Sequence, residues 1–165
     1  VDPKTGQKAK FSSKNALLLI NDFLLNNKKK DLENYIKDIH NADIAEILQN
    51  LEPETRIDFV NKIGSKFDPE ILTYLNDSLR EELIDILDIK QLATNSKTLD
   101  VDDAVDIVED FAKSDQTTFL ENIEENERKL IEEGLNYPED SAGRLMQRNY
   151  VSVNDIWNVG EAIDT

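Results

Sequence analysis

Asp102, Asp103 and Asp106 are the residues whose types and spacing most suggest chemistry. On a helix, Asp102 and Asp106 lie one turn apart on the same face, where their like charges repel each other. A divalent cation shared with a third carboxylate would relieve that repulsion, and an all-oxygen ligand set favours Mg²⁺ or Ca²⁺ over Zn²⁺ or Cu²⁺. The segment lacks the central glycine of an EF-hand loop, which excludes that site. The structural alternative is that Asp102 and Asp103 are first-turn acids, favoured by the helix dipole, on a solvated face.

The acidic residues of the chain are concentrated in one segment. The 165 residues carry 35 Asp and Glu against 19 Lys and Arg, for a formal net charge of -16. Between positions 100 and 140 there are 15 acidic and three basic residues, an excess of 12 negative charges. This balance argues against nucleic acid and anionic membrane surfaces as partners, and it leaves cations, basic proteins or solubility as explanations.

No set of residues indicates an active site. The chain has no cysteine and a single histidine, His40, which excludes thiolate chemistry, disulfides and a multi-histidine zinc centre. It contains no G-x-S-x-G element and no glycine-rich phosphate loop. His40 precedes a helix-start sequence, where a lone histidine is usually structural. We therefore expect a protein that is not an enzyme.

The apolar residues that must position the acids recur at helical spacing. From about Asn15 to about Asn136 they lie three or four residues apart, which predicts short helices joined by tight turns. Pro53, Pro69 and Pro138 each precede a glutamate, a pair that is typical of the first turn of a helix. The predicted fold class is all-α.

Three hexapeptides inside this pattern resemble one another. Each consists of an acid, two aliphatic residues, two others and a large apolar residue, and they begin at Glu46, Glu70 and Asp106. Their intervals of 24 and 36 residues are irregular, as stacked helical hairpins with an inserted turn would produce. The repeats predict a curved or superhelical array, although any amphipathic helix can contain such a hexapeptide by chance.

Composition divides the chain into three parts. Residues 1–14 are polar and are expected to be a tail or a cloning remnant, residues 15–136 form the helical domain, and residues 137–165 form a junction and the start of a second, truncated domain. No secretory signal is present, and no aliphatic run approaches the roughly 20 residues that span a bilayer. We therefore expect a soluble, cytoplasmic chain.

The last part differs in pattern from the helical domain. A turn after Tyr137 is followed by an alternating segment at 150–153, which predicts a strand. Asn154 then precedes residues that predict a helix, among them Trp157 and Ile163. A strand and a helix cannot bury themselves alone, so this part is expected to belong to a larger domain.

Three segments of the chain resemble the MgtE family of magnesium channels and transporters. They are ADIAEIL at 42–48, LDVDDAVD at 99–106 and YPEDSAGRLM at 137–146. They follow the order of the family's helical N domain, junction and first CBS domain. The resemblance covers about residues 40–165, and the third segment is its most specific part.

Two residues depart from the family's pattern. Asn41 stands where the family usually has proline after the histidine, and Arg144 stands where it usually has a second glycine. We expect neither residue to touch the acidic sites, although Arg144 could alter the turn at the junction.

The resemblance implies a fold and a function. MgtE proteins are homodimers with a membrane-embedded pore, and their N-terminal helices form a right-handed superhelix followed by CBS domains on the cytoplasmic side of the membrane. Mg²⁺ bridges acidic residues of the N domain, the CBS domains and a plug helix, and the pore closes when the ion is plentiful. The family's N-domain ligands fall here on Glu70, Asp102 and Asp106. With half of each site present, the resemblance implies weak, regulatory Mg²⁺ binding, and it implies the CBS and transmembrane domains of the same protein as partners.

A second function is compatible with the same residues. An acidic helical-repeat scaffold could use the segment 100–140 as an interface for a basic protein partner. The gene sequence that follows residue 165 would separate the two. CBS domains and apolar spans of about 20 residues would indicate the transporter, and a further helical repeat would indicate the scaffold.

Overall fold

Short helices follow one another along the chain. The computed structural model describes residues 13–138, 141–144, 146 and 153–163. The α-helices are α1 Ser13–Leu25, α2 Lys29–Ile36, α3 Asn41–Asn50, α4 Pro53–Ile63, α5 Asp77–Ile84, α6 Ile89–Asn95, α7 Val101–Glu109, α8 Lys113–Glu121, α9 Glu125–Leu135 and α10 Val159–Ile163, and the 3₁₀ helices are Gly64–Lys66, Pro69–Tyr74 and Ser96–Thr98. None of these described residues lies in a strand, and the predicted all-α fold class is confirmed. No helix in this described part has the length and hydrophobicity needed to cross a membrane.

Short polar side chains set where several helices begin. The Asn76 side chain accepts a hydrogen bond from the amide of Leu79 at 3.1 Å, at the start of α5. The Asp88 side chain accepts one from the amide of Gln91 at 3.0 Å, at the start of α6. Each bond satisfies an amide that the first turn of a helix leaves without an internal partner.

The three prolines behave differently. Pro53 and Pro69 occupy the first turn of α4 and of the 3₁₀ helix Pro69–Tyr74, as the sequence predicted. Pro138 is followed by a turn at 141–144, in which the Ser141 amide donates to the Pro138 carbonyl at 3.0 Å. This hydrogen bond agrees with the turn predicted after Tyr137, while the helix start predicted at Pro138 falls on residues 139 and 140, which lie outside the described residues.

One apolar core runs through the helices from α1 to α9. Its largest fully buried side chains include Phe59, Phe67 and Phe119. The helix α7 packs against α9 at Gly134, where an added Cβ would lie 2.4 Å from a methyl group of Val105. A side chain at position 134 would therefore force the two helices apart.

The three hexapeptides occupy neighbouring places in the fold. They form the end of α3, the 3₁₀ helix Pro69–Tyr74 (the 69–74 helix) and the end of α7, and the 69–74 helix packs against both of the others. In each, the amide of the last apolar residue donates to the carbonyl three residues earlier, at 3.4 Å for Leu51, 3.2 Å for Leu75 and 3.2 Å for Phe111. The repeat seen in the sequence is thus a structural repeat. The right-handed sense of the array and the domain boundaries stay predictions.

Two buried arginines link successive units of the array. Arg56 and Arg80 each lie five residues after the last apolar residue of a hexapeptide. Arg56 in α4 donates to Glu82 in α5 at 2.9 Å, and Arg80 in α5 donates to Asp106 in α7 at 2.8 Å. Both pairs are separated by 26 residues. Arg56 therefore connects α4 to α5, and Arg80 connects α5 to α7.

The junction after α9 folds back onto the helical domain. Tyr137 covers Gly143 so closely that an added Cβ would lie 2.6 Å from a ring carbon of Tyr137. The buried Arg144 donates to the carbonyl of Gly134 at 2.8 Å and forms an ion pair with Glu109. The arginine that departs from the family's pattern is thus an anchor between the junction, α7 and α9.

The final segment differs from its prediction. The strand expected at 150–153 lies outside the described residues, apart from Val153, which has no regular secondary structure. The predicted helix is present but shorter, since α10 begins two residues after Trp157. The Asn154 side chain accepts from the amide of Ile156 at 3.2 Å, and its carbonyl accepts from the Trp157 amide at 3.0 Å. Asn154 therefore closes a turn before the helix begins.

Candidate functional site

Four carboxylates act electrostatically on Asp103 in α7, and one of them, Glu70, lies on the 69–74 helix, which packs against α7. We call these residues the acidic corner: Glu70, Asp100, Asp102, Asp103 and Asp106. Glu70 lies in the first turn of the 69–74 helix, and Asp102 and Asp103 lie in the first turn of α7, as predicted. Asp100 stands at the N-cap position, yet its side chain makes no capping hydrogen bond to the described residues. The corner is therefore more than a set of helix caps.

Asp103 carries the clearest electrostatic sign of crowding. Its pKa is raised above the ordinary aspartate value, first because the carboxyl is partly buried and then because the other four carboxylates of the acidic corner repel its charged form. A cation placed among these carboxylates would offset their repulsion and so lower the pKa of Asp103. Asp103 was not among the predicted ligands.

Asp102 contributes an oxygen that lacks a partner. Its Oδ1 is buried and accepts no hydrogen bond from the described residues. A buried, unpaired carboxylate oxygen is costly, and a metal ion or its bound water is one of the groups that can satisfy it. Of the three predicted ligands, Asp102 is thus the one left most open to a cation.

Glu70 is held in place by two neutral donors. Asn41 donates from Nδ2 to Oε2 at 2.8 Å, and the Tyr74 hydroxyl donates to Oε1 at 2.9 Å. The hydrogen bond to Glu70 raises the pKa of Tyr74, with burial and the charges of Glu70 and Asp103 adding to it. The expectation that Asn41 stays clear of the acidic sites is wrong, because the start of α3 packs directly against the 69–74 helix.

Asp106 lies one helical turn beyond Asp102 and is paired with a cationic side chain. Its side chain is 60% exposed, and Oδ2 accepts from Nη1 of Arg80 at 2.8 Å. Arg80 is 9% exposed and also donates from Nε to Asp110 at 2.5 Å. Burial alone would lower the pKa of Arg80, but Asp106 and Asp110 outweigh it, so the pKa is raised and the guanidinium stays charged.

His40, the single histidine of the chain, has a structural role, as expected. It stands at the N-cap of α3, where Nδ1 accepts from the amide of Ala42 at 3.2 Å. Its ring meets that of Tyr74 edge-on, with 6.1 Å between centroids. These contacts fix the start of α3 beside the 69–74 helix.

The acidic corner fits a hard divalent cation as part of a site. Its donors are all oxygen, and the buried Oδ1 of Asp102 has no hydrogen-bond partner among the described residues. Within the described parts of the chain, no three acidic or histidine side chains converge closely enough to enclose a metal ion. A cation at the acidic corner would therefore have to complete its coordination with water or with ligands from elsewhere.

A model of the MgtE intracellular N domain matches residues 39–140, more than half of the chain. The chain belongs to this family. The MgtE match contains α3 to α9 and all five residues of the acidic corner. It confirms the resemblance to the family's N domain, and the CBS part of that resemblance stays a prediction.

Two known proteins are similar to this chain, one in sequence and one in fold. The chain is 22% identical over 147 residues to the magnesium transporter MgtE of Bacillus subtilis (strain 168), covering 89% of this chain and 33% of that protein. The chain thus spans about a third of that relative's length. A crystal structure of the soluble part of a magnesium transporter matches with a TM-score of 0.73 at 19% identity, covering 93% of this chain and 60% of the other. That likeness shows a shared fold. Transporters are not a class of enzymes.

Membership of the MgtE family assigns no role to single residues. Glu70, Asp102 and Asp106 stay predicted ligands, of which the structure brings Glu70 close to the start of α7 and pairs Asp106 with Arg80. Sequence reasoning singled out Asp103 beside Asp102 and Asp106 without placing it among the ligands, and it missed Arg80. For Arg80 a signal existed, since it follows Leu75 at the same interval at which Arg56 follows the preceding hexapeptide.

Proposed function

We propose that this chain is the cytosolic regulatory domain of a magnesium transporter and that it senses intracellular Mg²⁺ through the acidic corner. The observation that carries the proposal is the crowding of five carboxylates, with the raised pKa of Asp103 and the unpaired Oδ1 of Asp102. A dication held there would offset the repulsion and satisfy the oxygen. Membership of the MgtE family supports the assignment to a transporter.

In the full-length protein, the acidic corner would share Mg²⁺ with carboxylates of the CBS domains and the plug helix. At high Mg²⁺ concentration these shared contacts favour a compact arrangement in which the pore is closed. At low concentration the carboxylates repel one another, and the helical domain moves away. This is a population shift driven by the higher affinity of the compact state for the cation. The functional unit would be a homodimer of a multi-pass membrane protein.

The isolated chain should bind Mg²⁺ weakly. It supplies only part of each proposed site, and Mg²⁺ gives up its bound waters reluctantly. We expect an affinity of about millimolar or weaker, through contacts that are largely mediated by water. The helices have their own apolar core, so the chain should fold without the ion. The proposal includes no catalytic step.

A magnesium titration followed by amide NMR tests the proposal. The parent chain is compared with the double variant Asp102→Asn/Asp106→Asn at matched ionic strength. The matched control is Glu121→Gln/Glu132→Gln, which removes the same amount of charge from two exposed acids of α8 and α9. We expect localised shifts at the start of α7 and in the 69–74 helix of the parent, lost in the first variant and kept in the control.

Two results would speak against magnesium sensing by the acidic corner. One is a set of diffuse shifts over the whole segment 100–140 that sodium reproduces, which indicates screening of charge. The other is a local response that survives the loss of both aspartates. Either result would leave the acidic scaffold as the better explanation of the charge.

A further inference from the structure

Arg80 is placed between the acidic corner and the neighbouring unit of the array. Its guanidinium is buried, and each of its three nitrogen atoms faces a carboxylate of α5 or α7. Nη1 donates to Asp106 at 2.8 Å, Nε donates to Asp110 at 2.5 Å, and Nη2 lies 3.5 Å from Asp77. An arginine cannot lose its charge at any physiological pH, so this positive charge is permanent.

Arg56, the equivalent arginine of the preceding unit, donates mainly to backbone carbonyls. Arg56 donates from Nε to the carbonyl of Leu48 at 2.9 Å and from Nη2 to the carbonyl of Leu51 at 3.0 Å. Only Nη1 meets a carboxylate, that of Glu82. Arg56 therefore closes the end of α3, whereas the whole fork of Arg80 is directed at acids, one of which belongs to the acidic corner.

We propose that Arg80 is the resident counter-ion of Asp106 and that it sets the magnesium affinity of the acidic corner. A divalent cation that approaches Asp106 must share or displace the carboxylate oxygen that Arg80 already holds. The guanidinium also repels the dication at short range. The consequence is a weaker site that releases the ion readily. This inference rests on the proposed function, because it concerns the affinity of the same site.

A purely structural role for Arg80 makes a different prediction. If Arg80 only joined α5 to α7, its loss would lower the stability of the fold and would weaken or leave unchanged the binding of Mg²⁺. If it competes with the cation, its loss should strengthen binding. The sign of the change in affinity therefore separates the two roles.

The test is a magnesium titration of the parent, Arg80→Gln and Arg56→Gln, followed by amide NMR at matched ionic strength. Removing one positive charge at roughly 6 Å from a dication in water should tighten binding about tenfold in Arg80→Gln. Arg56→Gln removes the same charge from the equivalent position of the preceding unit and should keep the parent affinity. In the parent, the Nη1–H resonances of Arg80, which donates to Asp106, should move during the titration, and those of Arg56 should stay in place.

Two further measurements test the competition between Arg80 and Mg²⁺. Arg80→Lys retains the charge without the fork and should bind Mg²⁺ with nearly the parent affinity. Should Arg80→Gln fail to fold, the Nη1–H resonances of Arg80 in the parent give the answer, since resonances unmoved at saturating Mg²⁺ contradict the competition for Asp106. An affinity of Arg80→Gln equal to or weaker than that of the parent also overturns it.

The failure of this inference differs from that of the proposed function. If the parent's local response requires Asp102 and Asp106 but is insensitive to Arg80→Gln, only the role of Arg80 is wrong. If neither the parent nor Arg80→Gln shows a local response, both are wrong. A response that appears only in Arg80→Gln would support the competition directly.

Discussion

Single hydrogen bonds decide which carboxylates of the acidic corner are available to a cation. Both oxygens of Glu70 accept hydrogen bonds from neutral side chains, and one oxygen of Asp106 accepts from Arg80. Asp102 retains a buried oxygen without a described partner, and Asp103 is destabilised in its charged form. We therefore expect Asp102 and Asp103 to respond most strongly to Mg²⁺, with Glu70 fixed as a positioned neighbour.

The raised pKa of Asp103 predicts how the stability of the fold depends on pH. The folded state holds the Asp103 proton more tightly than the unfolded state, whose pKa is near 3.8. The associated stability is therefore present at low pH and is lost as pH rises through the raised folded-state pKa. Asp103→Asn removes this loss of stability. The free energy of unfolding of the variant should therefore exceed that of the parent by about 0.5 kcal/mol at pH 7, a figure typical of relieved like-charge repulsion on a helix.

Urea unfolding of the parent and Asp103→Asn from pH 3 to pH 7 would measure the effect. The two free energies of unfolding should converge at the acidic end and separate as pH rises. Glu132→Gln, an exposed acid of α9, should show a smaller separation because it lies outside the acidic corner. A parent that is the more stable protein at pH 7 would contradict the crowding of charge at Asp103.

At the scale of helices, the sequence predicted what depends on local spacing. The apolar periodicity predicted the helices, and the three hexapeptides predicted units that the structure stacks side by side. The side-chain contacts between units were not predictable in this way. Asn41 meets Glu70 across 29 residues, and Arg80 meets Asp106 across 26. Such contacts depend on how the helices pack, and the residue types alone do not indicate which residues will meet.

The close contact between α7 and α9 predicts that a methyl group added at Gly134 destabilises the fold. Alanine is a better helix former than glycine by about 1 kcal/mol, so Gly134→Ala would stabilise an isolated helix. In the fold its Cβ would meet Val105 at 2.4 Å, and we expect a net loss of about 1–3 kcal/mol in the free energy of unfolding. Denaturant unfolding measures the sign directly.

A double-mutant cycle with Val105→Ala identifies the cause. Val105→Ala alone should destabilise by leaving a cavity, while the pair should be more stable than the sum of the two changes. Additive effects would mean that the tight approach at Gly134 is relieved elsewhere in the packing.

On the scale of the whole molecule, the most acidic segment of the chain is also the part that contacts the junction after α9. The segment 100–140 holds most of the net charge, and it contains α7, α8 and α9. Arg144 joins the junction to α7 and α9 through Glu109 and Gly134. The junction therefore contacts α7 directly, so a movement of α7 would be passed to the junction.

The full-length transporter should lose its response to cytosolic Mg²⁺ when the acidic corner is altered. A ligand shifts a two-state equilibrium only through its difference in affinity between the states. Removing Asp102 and Asp106 reduces that difference, so Asp102→Asn/Asp106→Asn should stay conductive at Mg²⁺ concentrations that close the parent. We expect the concentration for half-closure to rise at least about tenfold, which corresponds to roughly 1.4 kcal/mol of lost coupling.

Ion flux through the full-length protein in lipid vesicles, with Mg²⁺ varied on the cytosolic side, measures this shift. Glu121→Gln/Glu132→Gln carries the same change in net charge and should close at the parent concentration, because neither acid is among the carboxylates that act on Asp103. Equal shifts in both variants would assign the effect to total charge. No shift in either would show that closure is governed by other parts of the transporter, even if the isolated chain binds Mg²⁺.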